Sequence, residues 1–207
     1  MINELPSHYE DILIPLSNIN SKFVLGGSLA LYVLDIMEYD FKSRVPDFDL
    51  GLKESITEDE LITIRDFWNL EFSLNTGDYS TDNTEGLSTT NFKIKPISYF
   101  LTKDLIQLEK NTELEQYKID IFNSSFIKPK DIVHVPYKEY TLHLTHPSII
   151  LSHKSKYAYD TRVGKQYKHF EDIQKIDWKK YFSICKKINY VWDKEHKTIS
   201  NSVFSVS

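Results

Sequence analysis

A chain of 207 residues with 41% hydrophobic and 27% charged residues has the length to bury a core of its own and reads as a globular, water-soluble protein. The opening Met-Ile-Asn-Glu-Leu-Pro lacks a basic-then-apolar layout and no apolar run reaches 18 residues, so neither a secretion signal nor a membrane span is expected. The net charge of −5 conceals a split: residues 1–127 carry 10 Lys and Arg against 22 Asp and Glu, whereas residues 128–207 carry 15 against 8.

In chain order, residues 3–18 mix Leu, Tyr and Ile at helical spacing and predict an amphipathic opening helix. Residues 21–25 read as a buried strand, broken by Gly26-Gly27-Ser28, after which residues 29–34 turn helical. The glycines permit a tight turn and close backbone approach, and a helix starting at Ser28 would offer free N–H groups to an anion. The next strand carries Asp47-Phe48-Asp49-Leu50. Alternate strand residues share a face, so Asp47 and Asp49 point one way, roughly 6–7 Å apart, while Phe48 and Leu50 enter a core. Two such carboxylates repel unless something positive sits between them, and a divalent metal is the usual reason to tolerate the arrangement.

Thr57-Glu58-Asp59-Glu60 is a capping box opening a helix to about Trp68, with Leu61, Ile64, Phe67 and Trp68 as its core stripe. Residues 70–74 predict a strand. The polar, aperiodic stretch 75–90 is long enough to be functional or mobile and is expected to overhang the active site. Residues 92–100 and 117–122 read as strands, and the charged segment 103–115 between them reads equally as a short helix or an extended hairpin. Asp120 stands between two isoleucines on the second of these strands, where an unpaired buried carboxylate is costly; the plain reading pairs it with a nearby Lys or Arg. Residues 133–136 and 140–144 predict a further strand pair, and Pro147 opens a helical remainder.

In that remainder Lys154, Lys156, Arg162, Lys165, Lys168 and His169 crowd together with Tyr157, Tyr159 and Tyr167. Asp172 lies three residues beyond His169, close enough on a helix to touch it. Residues 178–195 place Trp178, Tyr181, Phe182, Ile184, Cys185, Ile188 and Trp192 mostly on one face, which predicts a closing helix packed on the body. Cys185 is the sole cysteine, which rules out an internal disulfide and a cysteine-based zinc site and suits a reducing cytoplasm. No Gly-x-Ser-x-Gly and no Walker lysine loop is present, and His143, His146 and His153 fit no familiar zinc spacing.

Gly26-Gly27-Ser28 at a strand-to-helix turn, followed by Asp-x-Asp on the next strand, resembles the nucleotidyltransferase fold of the DNA polymerase beta superfamily. Arg44-Val45-Pro46-Asp47-Phe48-Asp49-Leu50 is similar to the wording in AbiEii-type and related small bacterial and phage nucleotidyltransferases. The resemblance spans residues 20–175 and implies an α+β protein: a mixed β-sheet with helices packed on it over 1–145, then a helical region over 146–207. It implies that Asp47, Asp49 and Asp120 are the catalytic carboxylates and hold Mg²⁺ or Mn²⁺. It further implies that Gly26, Gly27, Ser28, Arg44, Lys154, Lys165 and Lys168 bind ATP or another NTP, and that Lys168 to Ile173 matches the family's Lys-(His/Asp)-x-x-Asp helix. One departure is the 19-position span from Ser28 to Asp47, longer than the family's commonest spacing, which demands an insertion or a longer first helix.

The implied activity is transfer of an NMP to an acceptor hydroxyl with release of pyrophosphate, in a cytoplasmic, toxin-antitoxin-like setting with RNA (a tRNA 3′ end) as the first acceptor. The basic, tyrosine-rich second half would then track phosphates and stack on bases; lysine-rich solvated helices are the plain alternative. A small-molecule (antibiotic) or protein nucleotidyltransferase is the second reading. A non-catalytic nucleotide- or RNA-binding protein of the same fold is the third.

Overall fold

Seven strands hydrogen-bond into one mixed sheet in the computed structural model, which describes residues 2–19, 22–42, 44–72, 96–112, 116–159 and 166–195. The first half supplies helix α1 (Ser7–Ile19), strand β1 (Phe23–Leu25), helix α2 (Gly27–Val33), strand β2 (Asp47–Leu52), helix α3 (Glu58–Phe67), strand β3 (Glu71–Phe72) and helix α4 (Ile97–Leu101). Strands β4 (Leu105–Asn111), β5 (Gln116–Phe126), β6 (Ile132–Tyr137) and β7 (Tyr140–Thr145) follow. Helices α5 (Pro147–Tyr159), α6 (Gln166–Gln174) and α7 (Trp178–Glu195) end the described chain. The strand order is β3-β4-β5-β2-β1-β7-β6. Strand β2 thus sits in the middle, parallel to β5 and antiparallel to β1, while β1 runs parallel to β7. The expected mixed sheet with packed helices and a helical C-terminal region is the architecture found. The expected boundary at 145/146 falls between β7 and α5.

Alternation decides which side of β2 faces the core. Phe48, Leu50 and Leu52 are buried with Ile119 and Ile121 of β5, Ile106 and Leu108 of β4, and Leu25 of β1. Leu29 and Leu31 of α2, Ile12 of α1, and Leu61 and Ile64 of α3 complete that cluster. Helix α2 is apolar almost all round, as a core helix must be, and its Leu29, Ala30, Leu31 and Val33 are all buried. Helix α3 begins at Thr57 with both reciprocal bonds of the capping box: Glu60 N–H donates to the Thr57 hydroxyl at 3.3 Å, and Thr57 N–H donates to the Glu60 carboxylate at 2.8 Å.

Several expectations need correction. Residues 97–100, expected as strand, form helix α4 behind Pro96; proline cannot donate to a sheet ladder but sits readily where a helix begins. Residues 92–95 of that expected strand, and the 75–90 stretch, lie outside the described residues. Of the ambiguous segment, residues 105–111 are extended as β4, antiparallel to β5, and residues 113–115 lie outside the described residues. Phe67 is not core: it is 62% exposed, because the buried arc of α3 closes at Leu61 and Ile64. In α7, Tyr181 and Ile184 are buried while Trp178 and Phe182 face outward, and the Trp192 side chain lies outside the described residues.

The long span after Ser28 is not a longer helix. Helix α2 ends at Val33, Asp35 takes a left-handed turn (φ 57°), and residues 36–37 reach α6's far end, where Met37 bridges Ile176 and Asp177 N–H donates to Ile36 O at 2.8 Å. Tyr39 and Phe41 then pack on Tyr32 and Tyr9. The additional residues therefore tie the helical region to the sheet.

Candidate functional site

Register gathers the acidic residues. In the parallel β2–β5 pair Asp49 lies opposite Asp120, and neighbours in register project from the same face. Asp47, two residues before Asp49, shares that face, so three carboxylates stand on the side of the sheet away from Phe48, Leu50 and Ile119. Gln107 of β4 is in register with Asp120, and its amide donates to the Asp120 carboxylate at 3.0 Å. Asp47 receives the Lys168 ammonium from α6.

The glycine turn is fitted to Asp49. Gly27 has φ +61°, and a β-carbon there would fall on the Asp49 carboxylate; only glycine combines that backbone with that proximity. Gly26 N–H donates to Asp49 O at 2.7 Å, which fixes the end of β1 beside β2.

Electrostatics at Asp49 are uncompensated. Burial, then the charges of Asp120 and Asp47, push its carboxyl up to about 7, with Lys154 and Lys168 only partly offsetting them. Among the described residues no three His, Cys, Asp or Glu side chains converge, as they stand, on one point that could hold a metal ion. The donor set is nevertheless of the right kind: hard carboxylate oxygens, one with its pKa raised by burial and by its like-charged neighbours and another already taken by an ammonium. A divalent cation would relieve that repulsion.

Behind the carboxylates lies a buried ionic hub that the residue pattern did not disclose as such. Asp172 of α6 is 0% exposed. Its carboxylate accepts from Ser28 Oγ at 2.9 Å, Lys154 Nζ at 2.6 Å, and Arg44 Nη1 and Nη2 at 2.7 and 3.4 Å. Lys154 also donates to Ser28 Oγ at 2.8 Å. Burial alone would raise the Asp172 carboxyl; the guanidinium and ammonium instead hold it well below the usual carboxylate range. These partners of Asp172 lie far from it in sequence, unlike His169 within its own helix. Arg44 in turn lies 5.2 Å from the Tyr39 ring centre, a cation–π contact.

Expected nucleotide ligands thus divide. Gly27 and Lys168 border the carboxylates directly. Ser28, Arg44 and Lys154 are occupied with Asp172, and Lys154 is only 6% exposed, so they act as struts joining α2, the β2 approach, α5 and α6. Lys165 and Arg162 lie outside the described residues. Gln107 and Tyr39 belong to the site and were missed. Gln107 was legible only through register, and Tyr39 only through its contact with Arg44. Comparisons of the chain with protein-family models, with curated proteins and with solved structures return no match.

Proposed function

We propose that this protein is a nucleotidyltransferase of the polymerase-beta type, moving an NMP from an NTP to an acceptor hydroxyl and releasing pyrophosphate. The observation that carries the reading is the Asp49–Asp120 register with Asp47 on the same face, against a turn whose Gly27 makes room for the Asp49 carboxylate. A structural role does not call for this arrangement, because like charges in register destabilise a sheet.

Asp47, Asp49 and Asp120 would hold Mg²⁺ or Mn²⁺, which would neutralise phosphate charge and acidify the acceptor hydroxyl. Asp120, set by Gln107, is placed to accept the acceptor's proton. Lys168, now on Asp47, can exchange that anionic partner for a triphosphate oxygen. The Asp172 hub keeps α5 and α6, and with them Lys168, in place. In such chemistry positioning and charge neutralisation supply most of the acceleration.

RNA is the acceptor we favour, a tRNA 3′ end first because the resemblance implies it. Tyr159, Tyr167, Phe170, Trp178 and Phe182 are exposed on α5, α6 and α7, interleaved with Lys168, Lys175, Lys179 and Lys180, which is a stacking and phosphate-tracking composition. The test supplies each α-labelled NTP with Mg²⁺ or Mn²⁺ together with cell RNA, protein extract or an aminoglycoside. Label on RNA that is lost in Asp49→Asn supports the reading. Label on protein or drug moves the acceptor to another class, and no label on any of them with a folded protein overturns the proposal.

A further inference from the structure

On the same sheet face, beyond the carboxylates, a second cluster has no role in the chemistry above. Lys53 follows the last residue of β2, and its ammonium lies 3.1 Å from His143 Nδ1 on β7. His143 is in register with His134 on β6, their rings 4.6 Å apart and nearly perpendicular. The face follows from register: Leu25 is opposite both Leu50 and Leu144, so Leu144 shares the core side with Leu50 and His143 projects to the Asp49 side. Four residues of strand separate Lys53 from Asp49, about 13 Å.

The cluster's charge is that of the Lys53 ammonium. Among the described residues no carboxylate is hydrogen-bonded to or ion-paired with Lys53, His134 or His143. Burial, then Lys53 and His134, push His143 down to about 4, and burial lowers Lys53 as well. A protonated lysine has no acceptor, so Nδ1 of His143 accepts and the imidazole proton sits on Nε2, a second donor on the side of the ring turned away from the ammonium. All three residues are half-buried and so still reachable. The crossover from β5 to β6 passes close by: the Ile127 side chain fills the space above Gly51, and the exposed Lys128 and Lys130 follow it. A cation would be repelled from such a place. An anion with several acceptor oxygens would satisfy it.

We propose that Lys53, His134 and His143 form a phosphate-binding subsite that holds a backbone phosphodiester of the polynucleotide acceptor upstream of its reacting end. Recognition of phosphate, not of base, is the chemistry on offer, with lysine as a point charge and imidazole N–H as donor. The assignment of the phosphate to an acceptor rests on the transferase reading; the anion site itself does not.

The test reads binding and not turnover. The histidine ring signals of the full chain are followed by NMR while a single-stranded RNA lacking a 3′ hydroxyl, or inorganic phosphate, is added, and RNA affinity is measured across a salt series. The expected result is movement of the His134 and His143 signals with RNA. Lys53→Gln should make the slope of log affinity against log salt shallower by about 1, and Lys53→Arg should restore it. Inorganic phosphate moving the signals at concentrations as low as RNA does would keep the anion site and overturn its assignment to a polynucleotide. Unmoved histidine signals with both probes, or a parental salt slope in a folded Lys53→Gln protein, would overturn the subsite. Transfer to RNA with unmoved histidines sinks the subsite alone, whereas moved histidines without transfer to any acceptor sink the transferase alone.

Discussion

Removing the Asp172 carboxylate tests how the helical region is fastened to the sheet. In Asp172→Ala the Lys154 ammonium, 6% exposed, loses its ion-pair partner and keeps only the Ser28 hydroxyl, while Arg44 loses both of its bonds to the carboxylate. Breaking a buried pair from one side costs about 3–5 kcal/mol, because the remaining charge stays desolvated. For a chain of this size that corresponds to a fall in Tm of roughly 6–20 °C. Thermal and urea unfolding followed by circular dichroism at pH 7 measures it, and a Lys154→Met/Asp172→Ala cycle separates the pair's coupling from the loss of either partner. The pH dependence gives an independent check. The folded Asp172 carboxyl lies below its ordinary 3.8, so its contribution is complete above that value and is lost as pH falls through the folded pKa. Parent and Asp172→Asn should therefore converge in stability in strong acid and be fully separated by about pH 4. A loss under 1 kcal/mol in Asp172→Ala, or parallel pH curves, would refute the reasoning.

Other consequences concern the carboxylates and their supports. Asp49→Asn should gain stability at pH 8, by up to about 4 kcal/mol, and gain nothing at pH 4. The folded carboxyl titrates near 7, so the penalty on the parent is absent below the unfolded pKa and grows as pH rises; equal unfolding midpoints at pH 8 would contradict it. Gly27→Ala should lose transfer activity and about 1–2 kcal/mol of stability, since its φ of +61° suits glycine and the new methyl meets the Asp49 carboxylate; unfolding and NTP turnover measured on one preparation check both. Thr57→Ala should cost about 0.5–2 kcal/mol through the lost cap of α3 and leave turnover at the parent's level, which makes it a control for stability without chemistry.

Local pattern carried much of this molecule. Strand β2 was legible because Asp47-Phe48-Asp49-Leu50 alternates, α3 because its capping box is a two-way hydrogen-bond pattern within four residues, and the β6–β7 hairpin because two short apolar runs flank a tight turn. Residues 97–100 misled because Ile, Tyr and Phe have high strand propensity, and only their place behind Pro96 favours a helix. What remained hidden depends on distance in sequence. Asp172 meets Arg44 across 128 residues and Ser28 across 144, and no helical spacing announces such a partner. Local reading put only His169 within reach of Asp172, while the fold brought Arg44 and Lys154. Lys53 and His143 illustrate the same limit, since three strands had to be ordered as β2-β1-β7 before they could meet.

The central claim is that phosphorus transfer occurs at the α position of a nucleotide, on the face that Asp49 and Asp120 share. Side-by-side incubations with α-labelled and γ-labelled NTP, using the parent and a folded Asp120→Asn, test it most directly. The account predicts acceptor labelled only from the α position by the parent, unlabelled acceptor from Asp120→Asn, and pyrophosphate released in step with transfer. Label arriving from the γ position, or α-label transferred equally by Asp120→Asn, would contradict it.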